Sequence, residues 1–125
     1  VFDAAGLIAA QALVRRMPVG ESIVDAILTL VRAARPGTEE ANPLVAEDIA
    51  WGPGPRAAQS MMLAVRARAL MDGRLAPTID DVVALSHPIL IHRMALTFGA
   101  RAAGRTLDGV ITSLVEATLS PSLAA

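Results

Sequence analysis

The residues able to do chemistry in this chain are few, and one stands out by its position. Arg56 follows Trp51-Gly52-Pro53-Gly54-Pro55 and precedes a long Ala/Leu-rich stretch. Pro55 suits the first position of a helix and Gly54 its N-cap. Arg56 then falls at about the second helical position. A cation there faces the positive end of the helix dipole, at a cost of about 0.3–1 kcal/mol. Local rules are broken where function requires it. A helix N-terminus also attracts phosphate, and an arginine adds a charge-assisted fork. The other reading is an ion pair with a carboxylate of the preceding segment, Glu47 or Asp48. On these grounds alone the two readings stand level.

Other constellations are weaker. His87 and His92 are five apart, about 140° round a helix, so they do not share a face as helical metal ligands do. His87 before Pro88 reads as a turn residue, and His92 as the partner in a local hydrogen bond. Ser86 lies in no G-x-S-x-G motif, so it is not a nucleophile elbow. Asp80 and Asp81 fit the capping of a helix start better than catalysis. No metal site is expected.

Composition closes further routes. The 125 residues include eleven basic residues, all arginine, and no lysine, cysteine or tyrosine. Without cysteine there is no disulfide frame, thiolate zinc site or cysteine nucleophile. Without lysine there is no Schiff base and no P-loop, which needs G-x-x-x-x-G-K-[ST]. The net charge of −1 argues against a nucleic-acid module. The longest uncharged runs, 4–14 and 82–92, are eleven residues each, short of the roughly 20 of a membrane span. No basic n-region opens the chain, so no signal peptide is expected. One soluble, cytoplasmic, all-α domain remains.

The elements that must position Arg56 follow from periodicity and caps. Residues 4–16 place Leu7, Ala10 and Val14, with Ile8 beside them, on one side. Met17-Pro18 ends that helix. A second helix over about 21–35 carries the stripe Ile23, Ile27, Leu30, Val31 and Ala34, and Pro36-Gly37 stops it. Residues 36–50 read as one long acidic loop, with Glu39, Glu40, Glu47 and Asp48 and no basic residue. The helix from Pro55 to about Met71 is apolar round most of its circumference, which predicts a buried centre, closed by Gly73. Thr78 caps a fourth helix with Asp81 in a variant capping box. Pro88 is expected to interrupt it and start a new turn, 88–93. Residues 94–104 read as irregular. Thr106 caps a last helix with the stripe Leu107, Val110, Ile111, Leu114 and Thr118, ended by Pro121 and the alanine tail. The expectation is a small bundle of about five helices.

Two stretches then carry a family resemblance. WGPGPRAAQSMMLAVRARALMDGR (51–74), followed by TIDDVVALSHPILIHRMALTF (78–98), resembles the C-terminal lid of MoxR-type AAA+ ATPases. The family pattern there reads G-A-[SG]-P-R-A, then an Ala/Leu-rich run ending in G-R. T-x-[ED]-D-[VI] and H-P-x-L-x-H-R follow. Upstream, ALVRRMPVGESIVDAILTLVRAARP (12–36) matches V-x-V and L-V-x-x-[TA]-R-P. The pieces are fairly specific in this order and spacing. Ile91 stands where the family often has arginine. The last helix opens Thr106-Leu107-Asp108-Gly109, where acidic residues are commoner.

The resemblance implies that residues 1–125 are a lid without its P-loop core. It implies that Arg56 is sensor 2, reaching the γ-phosphate of ATP on that core, with Gly54, Pro55 and Ala57 shaping the approach. The P-loop lysine, ATP and Mg²⁺ would belong to the full-length parent. Family members form rings, often hexamers, and act as chaperone-like remodelling ATPases, frequently with a von Willebrand A-domain partner. The fragment alone would not hydrolyse ATP. Alternatives are the lid of a magnesium-chelatase or gas-vesicle ATPase, or a stand-alone helical interaction or oligomerisation module.

Overall fold

The computed structural model describes residues 2–123. It contains seven helices among these residues: α1 (Ala4–Arg16), α2 (Glu21–Ala33), α3 (Pro43–Asp48), α4 (Pro55–Met71), α5 (Ile79–Leu90), α6 (Phe98–Ala102) and α7 (Leu107–Leu123). Two short strands, β1 (Ile49–Trp51) and β2 (Ala95–Leu96), pair antiparallel. The all-α expectation holds, with two more helices than expected and a small ladder.

The core forms where helices α2, α4, α5 and α7 meet. From α2 come Ile23, Ile27, Leu30 and Val31, and Ala34 follows them; this is the stripe read from the sequence. From α4 come Ala57, Met61, Val65 and Ala69, all fully buried. They recur every four residues and so form one stripe. From α7 come Val110, Ile111, Leu114 and Leu119. Burying each large aliphatic side chain contributes roughly 1.5–3 kcal/mol.

Several expectations are corrected. Helix α4 is not buried all round: Met71 is 87% and Leu63 39% exposed. It packs on α1, α2 and α5, but Gln59, Arg66 and Arg68 hold parts of its remaining circumference near water. In α1 no residue is fully buried; Leu7 and Ile8 are 51% and 66% exposed. Its half-buried positions are Gly6, Ala10 and Val14, spaced by four, on the side that meets α4.

The acidic loop over 36–50 is not one loop. Asn42 caps α3, its side-chain oxygen accepting from the Leu44 N–H at 3.0 Å, with Pro43 at the helix start. Val45 anchors this short helix in the core, and β1 begins at Ile49. The stretch 94–104 is likewise structured, by β2 and α6, with Met94 and Ala100 buried. Pro88 does not start a new turn: α5 continues through it to Leu90. A proline so near the end forfeits a single bond of the ladder, and Ile91 N–H still closes on the His87 carbonyl at 3.0 Å. Helix α7 similarly runs past Pro121 to Leu123, and Ala124 and Ala125 lie outside the described residues.

The caps fall as expected. Gly73 has φ +74, and Arg74 N–H bonds the Ala69 carbonyl at 2.8 Å while Gly73 N–H bonds Leu70, a Schellman ending for α4. Thr106 caps α7 through Gly109 N–H at 3.1 Å.

Candidate functional site

Arg56 sits at the second position of α4 and is exposed. The sequence places it there by stiff local geometry. Gly52 lies so close to the end of α2 that a Cβ on it would come within 2.3 Å of the Ala34 carbonyl oxygen. Only glycine fits. Pro53 is buried, Gly54 is the N-cap, and Pro55 carries no N–H. Gly54 offers no side chain to cap the helix. The first turn of α4 is therefore open towards solvent at its positive end.

The alternative partners of Arg56 are engaged elsewhere or apart from it. Asp48 is 3% exposed and faces Arg105, 3.4 Å away. Arg56 makes no ion pair or hydrogen bond with any described residue, Glu47 included. It lines an open cleft of about 460 Å³ together with Trp51, Gly54, Pro55, Ala57, His92 and Arg93. Of the expected site residues, Gly54 and Pro55 are exposed at this cleft, and Ala57 is fully buried beneath it. No carboxylate lines the cleft.

The ladder explains the rest of the lining. Strand β1 runs into the Gly52–Gly54 turn, and β2 follows the end of α5. Pairing Ile49 with Leu96 and Trp51 with Ala95, across a bulge, brings the two turns together. Thus His92 and Arg93 reach the same cleft as Arg56. Reading single residues from the sequence missed Arg93. Its signal was the H-R at the end of the H-P-x-L-x-H-R stretch. Arg93 is held in place: Nη1 donates to the Ile89 carbonyl at 2.8 Å and Nη2 to Ser60 Oγ at 3.2 Å. His92 Nε2 lies against Arg93 Nη1. Arginine has donors only, so in this contact the guanidinium donates.

The remaining candidates are structural. His87 is not a turn residue; it lies within α5 and pairs with Asp108 at the start of α7. Ser86 is buried and donates to the Val82 carbonyl at 2.6 Å. Asp81 is buried and caps α5, accepting from the Thr78 N–H at 2.8 Å. It is also clamped by Arg74 at 2.7 and 2.8 Å and by Arg68 at 3.1 Å. Chiefly the Arg74 hydrogen bonds, and also that from the Thr78 N–H, hold the Asp81 carboxyl down at about 2 against the desolvation that opposes them. Asp72 adds a second carboxylate to Arg74 at 2.9 Å. Among the described residues no three His, Asp or Glu side chains gather as metal ligands. No helix of the described residues is long and apolar enough to cross a membrane.

A helical domain that presents an unpaired arginine on an uncapped helix start invites comparison with nucleotide-dependent machines. The AAA lid domain family matches residues 41–114, and the chain belongs to that family. It is similar to the chaperone MoxR1 of Mycobacterium tuberculosis, 26% identical over 98% of this chain and 33% of the relative. It is also similar to the crystal structure of a proposed ATPase from Cytophaga hutchinsonii. That match has a TM-score of 0.77 and 26% identity, over 84% of this chain and 32% of the other. The MoxR-type resemblance carried by the short motifs agrees with both. The chain spans about a third of the length of these two proteins.

Proposed function

We propose that this domain is the nucleotide-sensing lid of a MoxR-type AAA+ ATPase, with Arg56 as its sensor 2 arginine. The observation that supports this most is the isolation of Arg56. It stands at the positive end of α4, without an ion pair among the described residues, in a cleft lined by no carboxylate. Such a site gains from a multiply charged anion supplied from outside the domain. The terminal phosphates of ATP, bound to a preceding core, have that charge. A guanidinium brought near them stabilises the charge that spreads over phosphoryl oxygens during transfer. Its contact exists only while the γ-phosphate is present, so nucleotide state is coupled to lid position.

The residues fit one part of the nucleotide. They offer cationic contacts to phosphate, while the chain has no P-loop lysine, and no carboxylate lines the cleft of Arg56. In this reading the core holds the nucleotide and Mg²⁺, and Gly54, Pro55 and Ala57 keep the approach to Arg56 open. The parent assembles as a homo-oligomeric ring in the cytoplasm. It couples hydrolysis to chaperone-like remodelling of partners, a von Willebrand A-domain protein among them. The test is Arg56→Ala in the full-length ATPase. Turnover is expected to fall about a hundredfold, the scale of removing one transition-state donor. An unchanged rate removes Arg56 from the mechanism.

A further inference from the structure

We propose that Arg93 is a second phosphate-binding residue of the lid, acting beside Arg56 on the polyphosphate of the same nucleoside triphosphate. This rests on the reading of Arg56 given above and adds a residue to it. Ser60 lies four residues after Arg56 on α4, so the two share a face, about 6 Å apart along the helix axis. Arg93 is bonded to Ser60 Oγ at 3.2 Å, which places its guanidinium on the face that carries Arg56.

The anchoring of Arg93 is incomplete in an informative way. A guanidinium has five donors. The Ile89 carbonyl, Ser60 and His92 engage three of them. The other two, on Nε and Nη2, meet no acceptor among the described residues. No carboxylate faces Arg93 either; its neighbours in the cleft are Arg56, His92 and Trp51. Arg32, Arg68, Arg74 and Arg105 have a carboxylate partner, and other surface arginines have none; what sets Arg56 and Arg93 apart is that they share one cleft. Two cations held on one face without a counter-ion repel each other. An anion able to span both relieves that cost. A terminal phosphate offers three oxygens, enough for two guanidiniums at once, so the γ-phosphate, absent from ADP, is the group the pair would share. Arg93 is thus the pre-set contact and Arg56, exposed and unbonded, the adjustable one.

The test uses the full-length ATPase and measures dissociation constants for ADP and for a non-hydrolysable ATP analogue. Arg93→Gln is expected to weaken the triphosphate analogue about tenfold, the scale of one charge-assisted hydrogen bond, and to leave ADP within about twofold. Arg93→Lys is expected to restore part of the difference. Ser60→Ala, which removes only the anchor, is expected to weaken the analogue by about two- to threefold and serves if Arg93→Gln does not fold. If Arg56→Ala abolishes the discrimination but Arg93→Gln and Ser60→Ala do not, the inference about Arg93 fails and the sensor reading stands. If Arg93→Gln abolishes it and Arg56→Ala does not, the sensor reading of Arg56 fails, and the pairing proposed here fails with it. Equal loss of ADP and analogue binding in Arg93→Gln also overturns the inference, because it marks a structural role.

Discussion

Arg93, on the turn between α5 and β2, donates to Ser60 of α4 at 3.2 Å, one helical turn from Arg56. The bond ties the end of one helix to the first turns of another and makes a single cationic cleft from two distant segments. Neither segment forms it alone. The connection passes through a ladder of five residues, β1 with β2.

The position of Arg56 costs the fold something, and that cost is measurable. Arg56→Glu puts an anion at the positive end of α4. We expect this chain to become more stable by about 0.3–1 kcal/mol in denaturant melts, while the full-length ATPase carrying the same change loses turnover. A destabilised Arg56→Glu chain would show that Arg56 supports the fold.

Gly52 has no room for a side chain. Gly52→Ala drives a methyl group onto the Ala34 carbonyl, where only 2.3 Å is available. The turn before Arg56 must shift, and a loss of about 1–3 kcal/mol is expected in urea unfolding. In the parent ATPase the same variant should lower turnover too, since Arg56 follows the turn.

Asp81 makes stability depend on acid. Folding lowers its carboxyl from 3.8 to about 2, so between these values the unfolded chain binds more protons than the folded one. The contribution is full above about 3.8 and is lost as pH falls towards 2. It amounts to about 2 kcal/mol. Asp81→Asn should remove it at neutral pH and flatten the profile of unfolding free energy between pH 4 and 2, read by urea titrations at each pH.

Met61 is fully buried on the α4 stripe. Met61→Ala leaves a cavity in the core and should cost about 2–5 kcal/mol. Circular dichroism melts check this. The exposed Met71, truncated in the same way, should change stability by less than about 0.5 kcal/mol.

The purified 125-residue chain should show no ATP turnover in a phosphate-release assay. It has no lysine to build a P-loop. Measurable turnover would require a different assignment of its chemistry.

The sequence by itself determined the parts that depend on near neighbours. The end of α1 before Pro18, the apolar stripe of α2, the Schellman ending at Gly73, the caps at Thr78 and Thr106, and Arg56 at the start of α4 all follow from contacts within about five residues. Such signals are carried by backbone preference and helical period, so they are legible without a fold. The resemblance then gave Arg56 its expected role. Tertiary structure decided what depends on distant partners. The segment 36–50 became α3 and β1 because Val45 finds the core and Ile49 finds Leu96, forty-seven positions away in sequence. Residues 94–104 were opaque for the same reason, since a two-residue strand has no period to read. The fate of Leu7 and Ile8 was equally hidden: a helical stripe says which residues share a face, and only packing says what covers it. Arg93 is the functional case. Its type was visible, but its anchoring by Ser60 and its place beside Arg56 exist only because the ladder brings two turns into one cleft.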